Sequence, residues 1–232
     1  MMRLDKFLTN NTSLSRSQAN EAVNSGRVLV DGKRLKADAK IDENLSQVLL
    51  DAKVVEYKKY IYLMLNKPLG VVSATEDKIH KTVLDLVDEK YKKYNLFPCG
   101  RLDKDTLGLV ILTNDGESAH RALSPKKHVT KTYKFECAED LTSDQILSIE
   151  SGVTLKDGYT TKPCKITEYK DCKGYITLTE GKYHEIKRIF GANHNKITYL
   201  ERVSFGKITL DETLPRGSFR ELTPKEIEQF KL

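Results

Sequence analysis

Charge is crowded into the stretch GRLDKDTL, Gly100–Leu107, where Arg101, Asp103, Lys104 and Asp105 stand directly ahead of the apolar, β-branched run LGLVILT. A run of that composition reads as a buried strand. Buried strands seldom open on so much charge without a chemical reason. On extended backbone two aspartates two positions apart share a face, about 6–7 Å from each other. Paired carboxylates of that kind suit glycoside hydrolysis. A second reading has one working carboxylate and one turn residue. Arg101 and Lys104 would keep an aspartate ionised, ready to act as a nucleophile or to stabilise a developing cation on a sugar. A third reading is a charged turn without chemistry.

Metal and nucleotide chemistry have no comparable signal. HEIKR, His184–Arg188, begins like the HExxH zinc signature, but arginine stands at the fifth position and cannot ligate zinc. His80, His120, His128 and His194 lack ligand spacing, and neither GxGxxG nor GxxxxGK[ST] occurs. No cofactor is expected. Cys99, Cys137, Cys164 and Cys172 form no CxxC pair and read as reduced structural thiols. No apolar run approaches the roughly 20 residues that span a bilayer, and MMRLDKFLTNN lacks a signal core. A cytoplasmic protein without a membrane partner is expected.

The elements that must position the charged cluster fall into two textures. In the first, Leu4, Phe7 and Leu8 have helical spacing, and Ser15 and Gln18 fit a capping box that opens a second helix carrying Ala19, Ala22 and Val23, closed by Gly26. VLVDGKRL then predicts a tight hairpin around Asp31-Gly32, and Gln47–Val55 a further apolar stretch. Lys58-Lys59-Tyr60 marks the boundary. Beyond it, YIYLMLNKP, LGLVILTN, KTYKFECAE, KPCKITEYK, YITLTEG, KITLDETL and FRELT read as strands. HKTVLDLVDEKY, GESAHRALS, SDQILSIESGV, HEIKRIFGAN and TPKEIEQF read as helices, the last with Pro224 at its first position. The pattern is strand-rich α+β without regular βαβ alternation, which argues against a doubly wound sheet.

The helix, SRSQANEAV helix, Gly-Arg-Val and VDGKRL order resembles the S4 RNA-binding domain from Met2 to about Val55. Downstream, YLMLNKPLGVVSAT, GRLDKDTLGL, HVTKTYKF, EGKYHEIKRIF and YLERVSFGKITLD occur in an order that resembles the ribosomal RNA pseudouridine synthases of the RsuA type, over the rest of the chain. The total length is nearer to members acting on small-subunit RNA than to the longer-tailed large-subunit members. The resemblance implies an S4-like α/β domain over 1–58. It implies a synthase domain over 59–232, with a mixed, mainly antiparallel sheet flanked by helices.

For function, the resemblance implies isomerisation of a uridine within ribosomal RNA, most readily small-subunit RNA. The alternatives are large-subunit RNA or a non-catalytic ribosome-assembly protein. It casts Asp103 as the catalytic carboxylate and demotes Asp105 to a turn residue. Tyr133 would stack on the base and serve in the last proton abstraction, and Lys187 would pair with Asp103. Arg101 and Leu200 would line the uridine pocket. The chain carries a net charge of +6, which suits an anionic partner. Arg3, Lys6, Arg16, Arg27, Lys33 and Arg34 in the first unit, with Lys126, Lys127, Lys131, Arg188 and Arg202 in the second, are the expected RNA contacts. The expected partner is ribosomal RNA in a small-subunit assembly intermediate, met by a monomer.

Overall fold

The computed structural model describes residues 1–231. Its backbone divides into two compact units. One is Met1–Tyr60 with Glu89–Tyr94; the other runs from Ile61 to Asp88 and from Asn95 onward.

In the first unit β1 (Met2–Arg3) leads into α1 (Leu4–Asn11) and α2 (Arg16–Asn24), followed by β2 (Val28–Val30), β3 (Lys40–Ile41), β4 (Val48–Leu50) and β5 (Lys53–Val54). The capping box that opens α2 is complete. Ser15 Oγ accepts from the Gln18 amide at 3.3 Å, and Gln18 Oε1 accepts from the Ser15 amide at 2.8 Å. Leu4, Phe7, Leu8, Ala19, Ala22 and Val28 form the core between helices and sheet. A one-turn helix, α3 (Glu89–Lys92), belongs to this unit despite its place in the sequence. The Lys93 ammonium behind it donates to the Thr12 carbonyl at 2.7 Å.

The predicted VLVDGKRL hairpin is corrected. Asp31 and Gly32 take the positive φ values of a tight turn, but only a single bridge, Val30 to Lys33, follows it. The chain then peels away because the Ala37 and Ala39 carbonyls accept the Asp5 and Leu4 amides, and β2 pairs with β4 instead.

The second unit contains β6 (Tyr62–Lys67), β7 (Phe97–Cys99), β8 (Leu107–Thr113), α4 (Gly116–Leu123), β9 (Lys131–Cys137), α5 (Ser143–Ser151), β10 (Lys165–Lys170), β11 (Lys173–Leu178), α6 (Glu185–Ala192), β12 (Ile197–Phe205), β13 (Ile208–Thr209), β14 (Phe219–Glu221) and α7 (Pro224–Lys231). Its strands form one sheet, ordered β10-β11-β9-β12-β8-β6-β14, with β13 beside β12 and β7 beside β8. Every pairing is antiparallel except β8 with β12. The helix expected over HKTVLDLVDEKY is also corrected. Thr82 bridges to Val72 and caps with Asp85, so the segment breaks into a tight 3₁₀ turn at Val83–Leu86 and the separate turn α3. Of KITLDETL only Ile208–Thr209 pairs, because Asp211 turns the chain by accepting from the Thr213 amide.

The parallel β8–β12 contact matters most for the site, since β8 begins two residues after Asp105. Its register sets Gly108 opposite Arg202. Gly108 has φ +98°, and a Cβ there would lie 2.3 Å from the Arg202 carbonyl oxygen. No side chain fits without separating the strands. Gly108→Ala is expected to cost about 3–5 kcal/mol of stability from strain and overpacking together. Urea unfolding measures this, and an unchanged midpoint would show that the two strands do not meet so closely.

Candidate active site

The loop carrying the charged cluster is held by the end of β6 and the segment after it. The Lys67 side chain, fully buried, reaches under the loop. Its ammonium donates to the carbonyls of Thr106 at 2.8 Å, Pro68 at 3.0 Å and Lys104 at 3.3 Å. The Gly70 amide donates to the Lys104 carbonyl at 2.9 Å. Ser73 Oγ accepts from the Leu102 amide at 3.0 Å and donates to the Leu102 carbonyl at 3.1 Å. Within the loop the Thr106 amide closes a turn onto the Asp103 carbonyl at 3.0 Å. Backbone donors and acceptors on both sides of Asp103 are therefore fixed, and its carboxyl is directed by the turn.

What the carboxyl meets comes from α6. Lys187 Nζ lies 2.8 Å from Asp103 Oδ2 and also donates to Asp105 Oδ1. His184, at the left-handed position that opens α6, sets Nε2 3.5 Å from Asp103 Oδ1, with its ring stacked on Tyr183. Ile186, Ile189 and Phe190 are buried on the other side of α6, which turns Lys187 toward the loop. Burial works against the charge of Lys187, but the two carboxylates outweigh it and raise its pKa. Burial also opposes ionisation of Asp105, and Lys187 again outweighs it, so Asp105 is held below the usual carboxylate range. A glycosidase pair needs one carboxyl kept protonated as the acid. Two carboxylates sharing one ammonium do not supply it.

Asp103 opens onto a cavity of about 70 Å³ lined by Arg101, Tyr133, Leu178, Lys187 and Leu200, among others. Tyr133 and Leu200 are nearly buried and come from neighbouring strands, β9 and β12. Arg101 is exposed at the rim.

The expected RNA contacts divide sharply. Lys6, Lys33, Arg34, Lys126 and Lys127 are exposed. Arg3 pairs with Asp5 at 2.7 Å, Arg16 lies 3.7 Å from the same carboxylate, Arg27 pairs with Asp51 at 2.5 Å and Arg188 with Asp157 at 2.5 Å. Lys131 and Arg202 do not reach the surface as expected. Lys131 is buried, donates to the Val129 carbonyl at 3.0 Å and lies over the Phe205 ring. Arg202 is 2 % exposed and donates to the Leu109 carbonyl at 2.8 Å. Both cations are consumed by the sheet interior.

Sequence reasoning missed Lys67, His184 and the share of Lys187 taken by Asp105. A lysine inside the otherwise apolar strand YLMLNK was the available signal for Lys67. The other two depend on where α6 docks, which no local pattern encodes.

A family model described as RNA pseudouridylate synthase matches residues 61–192, and an S4 domain model matches residues 2–45. The chain belongs to the RNA pseudouridine synthase family. An uncharacterized RNA pseudouridine synthase of Bacillus subtilis, YtzG, is 45 % identical over 97 % of both chains. Ribosomal small subunit pseudouridine synthase A of Haemophilus influenzae is 36 % identical over 98 % of this chain and 99 % of its own. The same-named protein of Yersinia pestis is 38 % identical over 97 % of both. A crystal structure of a pseudouridylate synthase superposes with a TM-score of 0.70 at 36 % identity, covering 99 % of this chain and all of that one. This synthase thus has the fold class expected of it, an S4 domain followed by a mainly antiparallel sheet. Among its described residues no helix is long and apolar enough to cross a membrane.

Burial pushes the Lys67 pKa down to about 8, against the attraction of Asp105 and Asp103. A neutral amine has too few N–H donors for three carbonyls. Activity is therefore expected to fall as pH rises through about 8. Stability moves the other way, because between 8 and 10.5 the unfolded chain binds the proton and the folded one does not. Lys67→Met strands the three carbonyls and is expected to cost about 2–5 kcal/mol, read by chemical denaturation. A loss under about 0.5 kcal/mol, the size of an ordinary surface change, would show that the loop does not depend on the ammonium.

Proposed function

We propose that the protein converts a uridine of small-subunit ribosomal RNA to pseudouridine, with Asp103 as the catalytic carboxylate. The observation that carries this reading is the Asp103–Lys187 ion pair at the mouth of a cavity walled by Tyr133 and Leu200. The names of the small-subunit relatives support the choice of RNA, and the S4 domain supports an RNA partner. The target uridine leaves its stack to reach the cavity, at a cost of a few kcal/mol. Contacts of Lys33, Arg34, Lys126 and Lys127 with phosphates offset that cost without reading sequence.

Lys187 pairs with the Asp103 carboxylate and orients it. The carboxylate attacks the nucleoside, at the sugar carbon C1′ or at the uracil ring. The bond between C1′ and N1 breaks, the base rotates, C5 bonds to C1′, and the bond between the Asp103 carboxylate and the nucleoside breaks to free the carboxylate. C5 then gives up its proton, which Tyr133 is placed to help remove, and N1 gains one. Atoms balance with no oxidant, reductant or added group.

Loss of the C5 proton supplies the test. Small-subunit RNA labelled with tritium at uridine C5 should release tritium with the wild-type chain and not with Asp103→Ala. Equal release from both would sink the assignment. Asp105→Asn should keep far more activity than Asp103→Asn, since it leaves the attacking Asp103 carboxylate and its Lys187 partner in place. Replacing Lys33 and Arg34 together by alanine should weaken RNA binding and flatten its salt dependence by about 1.5 in log–log slope, at roughly 0.7–0.9 for each phosphate no longer neutralised. An unchanged slope would place RNA elsewhere.

A further inference from the structure

Two buried carboxyls in the wall of the same cavity have no part in the chemistry above. Glu185 opens α6 and is 5 % exposed; Glu180 follows β11 and is 9 % exposed. Glu180 is well supplied with donors. Its Oε1 accepts from the Lys162 amide at 2.7 Å and its Oε2 from the Tyr159 hydroxyl at 2.5 Å. Glu185 Oε2 accepts from the Lys182 amide at 2.8 Å. Glu185 Oε1 is buried and has no protein donor. Yet the two carboxyls are buried in the same wall, five positions of chain apart, and each acts on the ionisation of the other. A hydrogen bond between two carboxyls requires a proton on one of them, and a proton on Glu185 removes both the orphaned acceptor and the clash of buried like charges.

The surroundings assign the proton to Glu185. Burial acts first and the Glu180 carboxylate second, against the Lys182 amide and the charge of Lys131, and together they hold the Glu185 carboxyl protonated up to about pH 7. Lys162 faces Glu180 and favours its ionisation, as do the Tyr159 hydroxyl and the Glu185 carboxyl itself. The Cys164 thiol, pushed up to about 12 by burial, stays neutral beside them.

These two residues bracket the short connection Gly181–His184, whose Lys182 and Tyr183 are exposed. That connection ends in His184, and Lys187 follows one turn later. We propose that Glu180 and Glu185 share one proton, and that this carboxyl–carboxylate bond clamps the connection to the end of β11 so that α6 presents Lys187 and His184 to Asp103. Glu185 is a positioning residue, since it acts on Asp103 only through the placement of Lys187 and His184. The inference rests on the reading of Asp103 as the catalytic carboxylate. When the proton leaves, two adjacent buried anions repel, and opening the connection relieves them while loosening the grip on Asp103. Stability falls across the same window. The folded chain keeps the proton up to about 7 and the unfolded chain releases it near 4.5, so the contribution is complete below 4.5 and lost as pH rises through 7.

The experiment pairs a direct reading of the proton with kinetics on the full chain. Glutamate carboxyls labelled with ¹³C are followed by NMR, with the His184 ring signals, while tritium release gives kcat and KM against pH. One glutamate carboxyl is expected to titrate near 7, and the His184 signals to move with it. The wild-type kcat is expected to drop about tenfold one unit above that midpoint, with KM for the RNA unmoved. Glu185→Gln keeps a neutral donor toward Glu180, so whatever its absolute rate, its fall near 7 should vanish and leave only the later one set by Lys67. Glutamate carboxyls that are all ionised well below 7, or a Glu185→Gln profile that keeps the wild-type fall, would overturn the proposal. If the variant does not fold, the wild-type NMR titration decides alone. If wild type and Asp103→Ala prove equally inactive, the functional reading fails, while the carboxyl and His184 titrations still test the clamp.

Discussion

The Lys67 ammonium is taken out of water and given three carbonyl oxygens in exchange, and the loop from Leu102 to Thr106 takes its shape from that exchange. A buried lysine without such partners would neutralise or leave the core. With them, it fixes the backbone on both sides of the turn at Lys104. Gly70 and Ser73, from the same stretch as Lys67, hold the remaining polar groups of the loop. The segments NKPLGVVS and GRLDKDT are thus one physical object, the first serving as the mould for the second. The strand that follows, β8, is buried along its whole length and pinned to β12 by the close approach at Gly108. The loop is therefore anchored at both ends, and the Asp103 carboxyl has little freedom except to face α6.

From the other side, α6 supplies charge. One lysine serves two aspartates, paired with Asp103 and with Asp105 at once. The asymmetry between the two lies in exposure. Asp105 is 70 % exposed and Asp103 28 %, so solvent screens the first pairing far more than the second. The two aspartates that look equivalent in the sequence are separated by burial, and only the more buried one faces the cavity wall of Tyr133 and Leu200.

How much of this was legible in the sequence follows from which interactions are local. The capping box at Ser15, the buried run Leu107–Thr113 and the α+β texture depend on neighbours within a few residues, and pattern reading finds them. The VDGKRL hairpin misled because its turn chemistry is right while its second arm is drawn off by the amides that open α1. The HKTVLDLVDEKY helix misled because a bridge to Val72 competes with helical spacing. Lys67 needed a different kind of attention. A lysine in a strand whose other side chains are buried must be paired, and two of the three carbonyls that pair it come from a loop nearly forty residues on.

The basic residues carry the sharper lesson. Net charge counts Lys131 and Arg202 with the surface cations, yet both are structural. Arg202 reaches from β12 to the Leu109 carbonyl on β8, along the only parallel seam among the described strands. Parallel strands at the middle of a sheet leave few polar groups to spare, and a guanidinium there ties the two strands directly. Lys131 lies on the Phe205 ring at the start of β9, the strand that carries Tyr133. The buried charge of Lys131 and Arg202 thus holds the strands that carry the cavity walls, while exposed cations such as Lys33, Arg34, Lys126 and Lys127 stand outside the strands. An RNA enzyme needs both kinds, and they are told apart by what each side chain is buried against.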